Sequence, residues 1–356
     1  MKWIKKLFNY IFVDGMAGMA TGLFATLIIG TILSQIAGFV PGRYGALINY
    51  CACVIKALTG AGIGVGVAVK FKDSALVTLS AAGAGMIGAF ASKIIAGAVL
   101  SESGALVLAG PGEPLGAFIA VMVAVSIGRL VSGKTKLDIL VTPLVTISTG
   151  GIVGLLVGPP ISAFMTKLGE IVNWGTEQAP ILMGVVVSVI MGMILTLPIS
   201  SAALGVMLNL SGLAAGAATI GCSAQMIGFA VASFRENKWG GLFAQGVGTS
   251  MLQVPNIMRR PLIWLPPTIA SAILGPIGTA ALGMTNNAVG SGMGTSGLVG
   301  QIMTFQTMTA AGQSSSYVLL LILLMHIILP ATLTLIISEG MRKAGWIKHG
   351  DMKLDL

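Results

Sequence analysis

Charge is what this sequence of 356 residues has least of: only 9% of it is Asp, Glu, Lys or Arg, against roughly 25% in soluble domains. A water-facing surface cannot be covered at that density, which excludes a soluble enzyme, a nucleic-acid-binding protein and a disordered chain. Histidine (2) and cysteine (3) are also scarce. Cys51 and Cys53 with the distant Cys222 form neither a disulfide framework nor a tetrahedral metal site, so all three are expected as packing residues, with no metal and no cofactor. No polar stretch is long enough for a soluble domain, and P-loop and HExxH motifs are missing. The string GAGIGVG at 60–66 has no strand before it and reads as close helix packing. The basic start is followed by a polar break at 9–14, and the apolar run after it is too long for the core of a cleavable signal peptide.

What is abundant is apolar. Hydrophobic residues make up 55% of the chain, and its mean hydropathy is +0.95. There are 50 glycines, about twice the usual ~7%. This is the composition of an all-α polytopic membrane protein, in which glycine allows close helix contact and non-helical backbone at depth. A crossing helix needs about 20 mostly apolar residues. Stretches 15–40, 44–69, 74–100, 113–131, 139–165, 180–208, 262–284 and 314–338 qualify, predicting about 8–10 transmembrane helices.

The net charge of +9 has a topological reading. With the N-terminus inside, Lys2, Lys5 and Lys6, then Lys70 and Lys72, Arg129, Lys134 and Lys136, Arg235, Lys238, Arg259 and Arg260, and finally Arg342, Lys343, Lys348 and Lys353 all fall on the cytoplasmic side. Both termini are then cytoplasmic. Arg43 and Lys167 fall outside with Glu102, Glu170 and Glu177, and Lys56 and Lys93 lie within spans as snorkelling residues. By the same parity, 209–233 and 239–258 begin and end on one side. The first is expected as a hairpin. The second either dips in and returns or lies along the interface with Gln245, Gln253 and Asn256 as its polar face. Segments 285–313 and 101–114 are further re-entrant candidates. The chain 1–356 is thus expected as one integral membrane unit, and opposed hairpins are what transporters with a central site use.

Polar groups at membrane depth are expensive and mark function. Glu113, in Gly-Pro-Gly-Glu-Pro, is placed to accept hydroxyls beside the positive end of a helix; the competing role is a helix cap. The run 285–301 offers Asn286, Asn287, Ser291, Thr295, Ser296 and Gln301. These amides and hydroxyls carry no net charge and suit a neutral, hydroxyl-rich solute rather than an anion. An exposed loop is the alternative. Thr196, Ser200 and Ser201 surround the helix breaker Pro198, and Gln225 follows; they either contact solute or re-satisfy freed carbonyls. His326, mid-span, is expected to bond helix to helix, with a proton relay as the alternative. The tail after Glu339 is assigned no chemistry.

The stretches LTLPISSAALGVMLNLSGLAAGAATIGCSAQMIGFA, FRENKWGGLFAQGVGTSMLQVPNI and GSGMGTSGLVGQ resemble one family. It is the IIC, or translocation, subunit of the bacterial sugar phosphotransferase system, in a perfringolysin-O-regulator-like branch. The resemblance implies a multi-pass homodimer in the bacterial inner membrane, in contact with lipid, moving a sugar or similar small polar solute by alternating access. On that pattern Glu113 is similar to a sugar-binding acid, although in the glucose-type members the corresponding loop lies late in the chain. No phospho-accepting domain is present, so phosphoryl transfer would sit on separate cytoplasmic IIB and IIA proteins and the chain itself is not an enzyme. A membrane-embedded sensor that keeps the fold, or a carrier of another metabolite or an ion, are the competing functions.

Overall fold

The computed structural model describes residues 6–176 and 179–354; Lys2, Lys5 and Glu177 of the charge pattern lie outside them. Helix dominates, and among the described residues the only β pairings are two isolated bridges, Leu100↔Leu106 and Gly212↔Asn286. The chain divides into two compact units, Met1–Met165 and Thr166–Leu356. An all-α polytopic membrane protein is what is found. Among the described residues six helices are long and apolar enough to cross a membrane, or up to seven if one bent pair is a single span. The shorter apolar helices Ala75–Ala89 and Pro180–Thr196 fall below that length, so fewer full-length spans stand clear than the sequence led one to expect.

The first unit contains α1 (Lys6–Phe39) and the bent pair α2 (Gly42–Ala57) and α3 (Thr59–Lys70). It continues through α4 (Ala75–Ala89), the short α5 (Ala91–Ile95), α6 (Pro114–Val131) and α7 (Asp138–Ile161). The α2–α3 pair bends by 52°. The GAGIGVG string lies in α3, where it allows backbone contact: a Cβ on Gly18 of α1 would sit 2.6 Å from Val67 Cα. Small residues at such crossings replace the hydrophobic drive that lipid cannot supply. The buried charge of this unit is paired. Arg129 binds Asp73, which is 3% exposed, and stacks over the Phe71 ring at 4.7 Å.

The glycine-proline loop before α6 follows its chemistry. Gly110 (φ +78°) and Gly112 (φ +69°) take left-handed backbone, which L-residues with side chains avoid. Pro114 then opens α6, where its missing N–H is harmless. Residues 101–110 form turns on the surface rather than a helical re-entrant arm. Cys51 and Cys53 correct an expectation: both are exposed, and only Cys222 is buried. They lie on α2 among exposed apolar side chains such as Tyr44, Tyr50 and Val54, a face suited to lipid rather than to a protein core.

The second unit contains α8 (Pro180–Thr196), α9 (Ser201–Met207), α10 (Gly212–Ala232), α11 (Phe234–Phe243) and α12 (Val254–Arg259). After these come α13 (Pro261–Ala281), α14 (Ala288–Ser291), α15 (Val299–Ala310) and α16 (Ser315–Lys343). The expected hairpin at 209–233 is absent, because α10 is one continuous helix of 21 residues. It contains no proline, its alanines favour helix, and its glycines serve packing rather than reversal. A Cβ on Gly192 of α8 would lie 2.7 Å from the Gly221 carbonyl oxygen. A helix that long and apolar can cross by itself, which removes the parity argument for a fold-back there.

Segment 239–258 is a broken helical stretch, and its polar face, expected along the interface, is turned inward. Lys238 (φ 51°, ψ −150°) kinks α11, a π-helical turn covers Ala244–Gly248, and a 3₁₀ turn leads into α12. Gln245 and Gln253 are fully buried, and Asn256 nearly so. They form an amide ladder: Gln253 Nε2 donates to Gln245 Oε1 at 2.8 Å, and Asn256 Nδ2 to Gln253 Oε1 at 2.9 Å. The ladder grips the tail. Gln253 and Asn237 donate to the Met352 carbonyl at 3.0 and 2.8 Å, and Asn256 to the Lys353 carbonyl at 2.8 Å. Beside it Arg342 Nη2 meets Glu236 Oε1 at 3.1 Å, and that oxygen also accepts from Gly350 N. The tail, given no role from its sequence, closes the end of this unit.

Two outcomes follow. Gly192→Leu forces α8 off α10 and costs about 1–3 kcal/mol or more, as overpacked cores do, whereas at Gly240, where an added Cβ meets nothing within 4 Å, Ala is neutral or mildly stabilising. Thermal unfolding of the two purified variants compares them directly. Gln253→Ala strands the Gln245 and Asn256 groups and lowers stability by about 2 kcal/mol, and limited proteolysis then cuts after Lys348 faster than in the parent.

Candidate functional site: polar hubs along a buried helix

Helix α10 organises the second unit. It is wrapped by α8, α13 and α16, so each polar side chain it carries has to find a partner inside protein. Three hubs result, at Thr219, at Gln225 and at Ser223.

At Thr219 the partner is Asn286. The Asn286 main chain pairs with Gly212 at the start of α10, its N donating to Gly212 O at 3.2 Å. Its side-chain Nδ2 reaches Thr219 Oγ1 at 2.7 Å, Thr304 Oγ1 at 2.9 Å and the Gly300 carbonyl at 3.1 Å, while Oδ1 accepts from Asn287 N. Both polar atoms of the Asn286 side chain are therefore engaged. Asn287 caps α14, its Oδ1 accepting from Gly290 N at 3.0 Å. The chain then turns through Gly294 (φ +52°), Gly297 (φ +53°) and Leu298 (φ +59°) before α15 begins. Gly294 is required by close approach as well: a Cβ there would be 2.8 Å from the Cys222 backbone. Ser201 Oγ donates to the Gly292 carbonyl at 2.6 Å, and Thr295 Oγ1 contacts Met226 Sδ at 3.5 Å. Segment 285–313 is thus two helices joined by a glycine connection, with most of 286–301 buried, and not an exposed loop.

At Gln225 the network is also complete. Its Oε1 accepts from Trp264 Nε1 at 3.0 Å and from Thr196 Oγ1 at 3.3 Å, and its Nε2 donates to Thr268 Oγ1 at 3.1 Å. Thr196 also bonds Ser250 at 2.8 Å. The break around Pro198 is consequently stitched to two other helices.

The third hub is different. Gln301 Nε2 lies 3.4 Å from Ser223 Oγ and 3.2 Å from His326 Nδ1. Gln301 Oε1, His326 Nε2 and Ser296 Oγ are buried and have no hydrogen-bond partner among the described residues. With a neutral imidazole, Nδ1 accepts from Gln301, so Nε2 carries the proton and is an open donor, while Gln301 Oε1 is an open acceptor. Exchanging the Gln301 amide atoms only swaps the labels. Either way one donor and one acceptor stay unanswered, each at a cost of about 1–3 kcal/mol. A hydroxyl group, which both donates and accepts, answers such a pair.

The sequence-nominated residues therefore sort by their engagement. Asn286, Asn287, Thr196 and Gln225 are framework, fully or largely bonded within the unit. Ser291 Oγ donates to the Ala288 carbonyl at 2.9 Å, and Thr295 packs on α10. Ser200 is buried at the extended break between α8 and α9. Gln301 and Ser296 keep open polar atoms. Glu113 belongs to the first unit, where its main-chain N donates to the Ala89 carbonyl at 2.7 Å and it stands at the start of α6. Thr219, Ser223, Ser250, Trp264 and Thr268 were not singled out from the sequence, and His326 was read first as a helix-to-helix bond, with a proton relay as the alternative. Their signal was present, as single polar groups inside apolar helical runs. Among the described residues no group of three His, Cys, Asp or Glu could hold a metal ion.

No curated protein matches the chain. Residues 13–354 match the family described as "Phosphotransferase system, EIIC", which covers both units and all three hubs. A helical, multi-pass membrane component of a phosphotransferase-type transporter is consistent with every element above. The protein belongs to the phosphotransferase system EIIC family.

Proposed function

We propose that the protein carries a sugar or another neutral polyhydroxyl solute across the bacterial inner membrane by alternating access. Both termini would be cytoplasmic, and the whole chain 1–356 would act as one translocation unit paired as a homodimer. Separate IIA- and IIB-type proteins would supply any phosphoryl group. The observation that carries this reading is the Gln301–His326 pair, which offers an uncharged donor and an uncharged acceptor to a hydroxyl in the protein interior. Ser296 would add a third contact, and Asn286, Asn287, Thr196 and Gln225 would hold the frame. Ser200, Ser291 and Thr295 would line it. Glu113, in the first unit, would by its likeness to the acid of glucose-type loops accept a solute hydroxyl in its own right. An ion would need committed charge, which the hubs do not contain. Within the family we place the chain in the perfringolysin-O-regulator-like branch.

The test is a panel of neutral sugars and polyols, with sugar phosphates and organic anions as comparison, titrated against the purified full-length protein. A ligand at 100 times its Kd raises stability by about 2.7 kcal/mol, which a thermal scan resolves. Gln301→Met weakens that ligand at least tenfold, about 1.4 kcal/mol, while leaving the unliganded protein as stable as before or more so. Asn286→Ala instead destabilises the unliganded protein by about 2–4 kcal/mol through the three acceptors it leaves behind. Preference for anions, or no response to any neutral solute, removes the sugar reading. Binding without flux in proteoliposomes favours a sensor that keeps the fold.

A further inference from the structure

The last span, α16, has two unlike faces. One carries exposed apolar side chains, among them Leu319, Leu320, Leu335 and Ile336. The other repeats every four residues as His326, Pro330, Thr334, Ser338 and Arg342, all buried or nearly so. Residues four apart form a ridge that seats in the groove of a facing helix. Four of the five members of this ridge are polar. From His326 to Arg342 it runs about 24 Å at 1.5 Å per residue, against a hydrocarbon core of about 30 Å.

Each polar member of the ridge holds an unanswered atom: His326 Nε2, Thr334 Oγ1, Ser338 Oγ and Arg342 Nε. Helical threonines ordinarily hide the hydroxyl by donating to the carbonyl four residues back. Thr21, Thr26 and Thr31 do so, and on α16 itself the exposed Thr332 donates to the Ile328 carbonyl at 2.9 Å. Two residues further on, the buried Thr334 makes no such bond. The facing helix is pressed close, since a Cβ on Gly228 of α10 would lie 2.7 Å from Thr334 Oγ1. The upper end of the ridge falls in the π-helical stretch Leu323–Ile328, just before Pro330. Both features loosen the helical ladder and concentrate at functional bends. A ridge whose polar members each keep an unanswered atom, pressed at Thr334 against Gly228, is a surface built for a state in which the two helices stand apart.

We propose that the His326–Thr334–Ser338–Arg342 ridge of α16 is one wall of the solute path, shut against α10 in this structure and wetted when α16 moves away. Its ligands are water and the hydroxyls of a neutral solute passing from the Gln301–His326 pair toward the Arg342–Glu236 end. The inference rests on the transport reading for its direction, but its central claim, a hydrated ridge, is testable without knowing the solute.

The experiment uses the full chain in proteoliposomes, with Cys51, Cys53 and Cys222 replaced by Ala. Single cysteines are introduced as Thr334→Cys, Ser338→Cys and, on the exposed face, Thr332→Cys. A charged methanethiosulfonate reagent modifies thiols that meet water. The expected result is modification of Thr334→Cys and Ser338→Cys at least tenfold faster than Thr332→Cys; equal or slower rates overturn the proposal. Hydroxyl-radical footprinting of the unaltered protein in nanodiscs gives a second reading that depends on no variant. Oxidation of His326 well above that of buried Met284 supports a wet ridge, and an equal, background level for both overturns it. A ridge that wets while no neutral solute binds would sink the sugar reading and leave this one standing. A dry ridge would sink this inference whatever the solute panel shows.

Discussion

Everything in the second unit depends on the enclosure of α10. A helix wrapped by protein in a membrane has no water to answer its polar side chains, so Thr219, Ser223 and Gln225 each recruit a partner from a different segment. Thr219 holds the glycine connection through Asn286, and Gln225 ties the broken end of α8 to α13 through Thr196, Trp264 and Thr268. Ser223 reaches Gln301 and, through it, His326 on α16. One helix thereby sets the register of four others, and the small residues between its polar ones are what let those helices come close enough to be reached.

The contrast among the hubs separates architecture from activity. A saturated amide such as Asn286 or Gln225 fixes geometry and has nothing left to offer. An unsaturated pair such as Gln301 and His326 destabilises the closed state and is stabilised only by something that arrives. Full charge is kept at the margins of each unit, as Arg129 with Asp73 in the first and Arg342 with Glu236 in the second. Such buried pairs contribute little net stability but are severely destabilising when one member is lost. They suit helix ends, where they fix position without obstructing an uncharged interior.

Much of this was legible in the sequence, and the failures have physical causes. Sparse charge and long apolar runs gave the membrane class. The unusual density of Asn, Ser, Thr and Gln at 285–301 marked the glycine connection, since such groups at depth need enclosure. Helix α10 was misread because Gly, Ala and Ser are equally the composition of a fold-back and of a tightly gripped straight helix, and only its neighbours decide between them. The inward turn of Gln245, Gln253 and Asn256 could not be foreseen for a related reason. Gln253 and Asn256 donate to main-chain carbonyls of the tail and Gln245 to the Gly241 carbonyl, and a carbonyl leaves no trace in residue identity. The α16 ridge was hidden because its period shows only when buried and exposed faces can be told apart.

The grip on the tail also imposes a schedule. Asn237, Gln253 and Asn256 meet their carbonyl partners at sequence separations of 115, 99 and 97 residues. At elongation rates of about 5–20 residues per second, those amides emerge from the ribosome roughly 5–20 s before the groups that will cover them. During that interval they have to remain hydrated or be chaperoned at the insertion machinery. The amide network of the second unit can therefore close only once Met352 and Lys353 have been delivered.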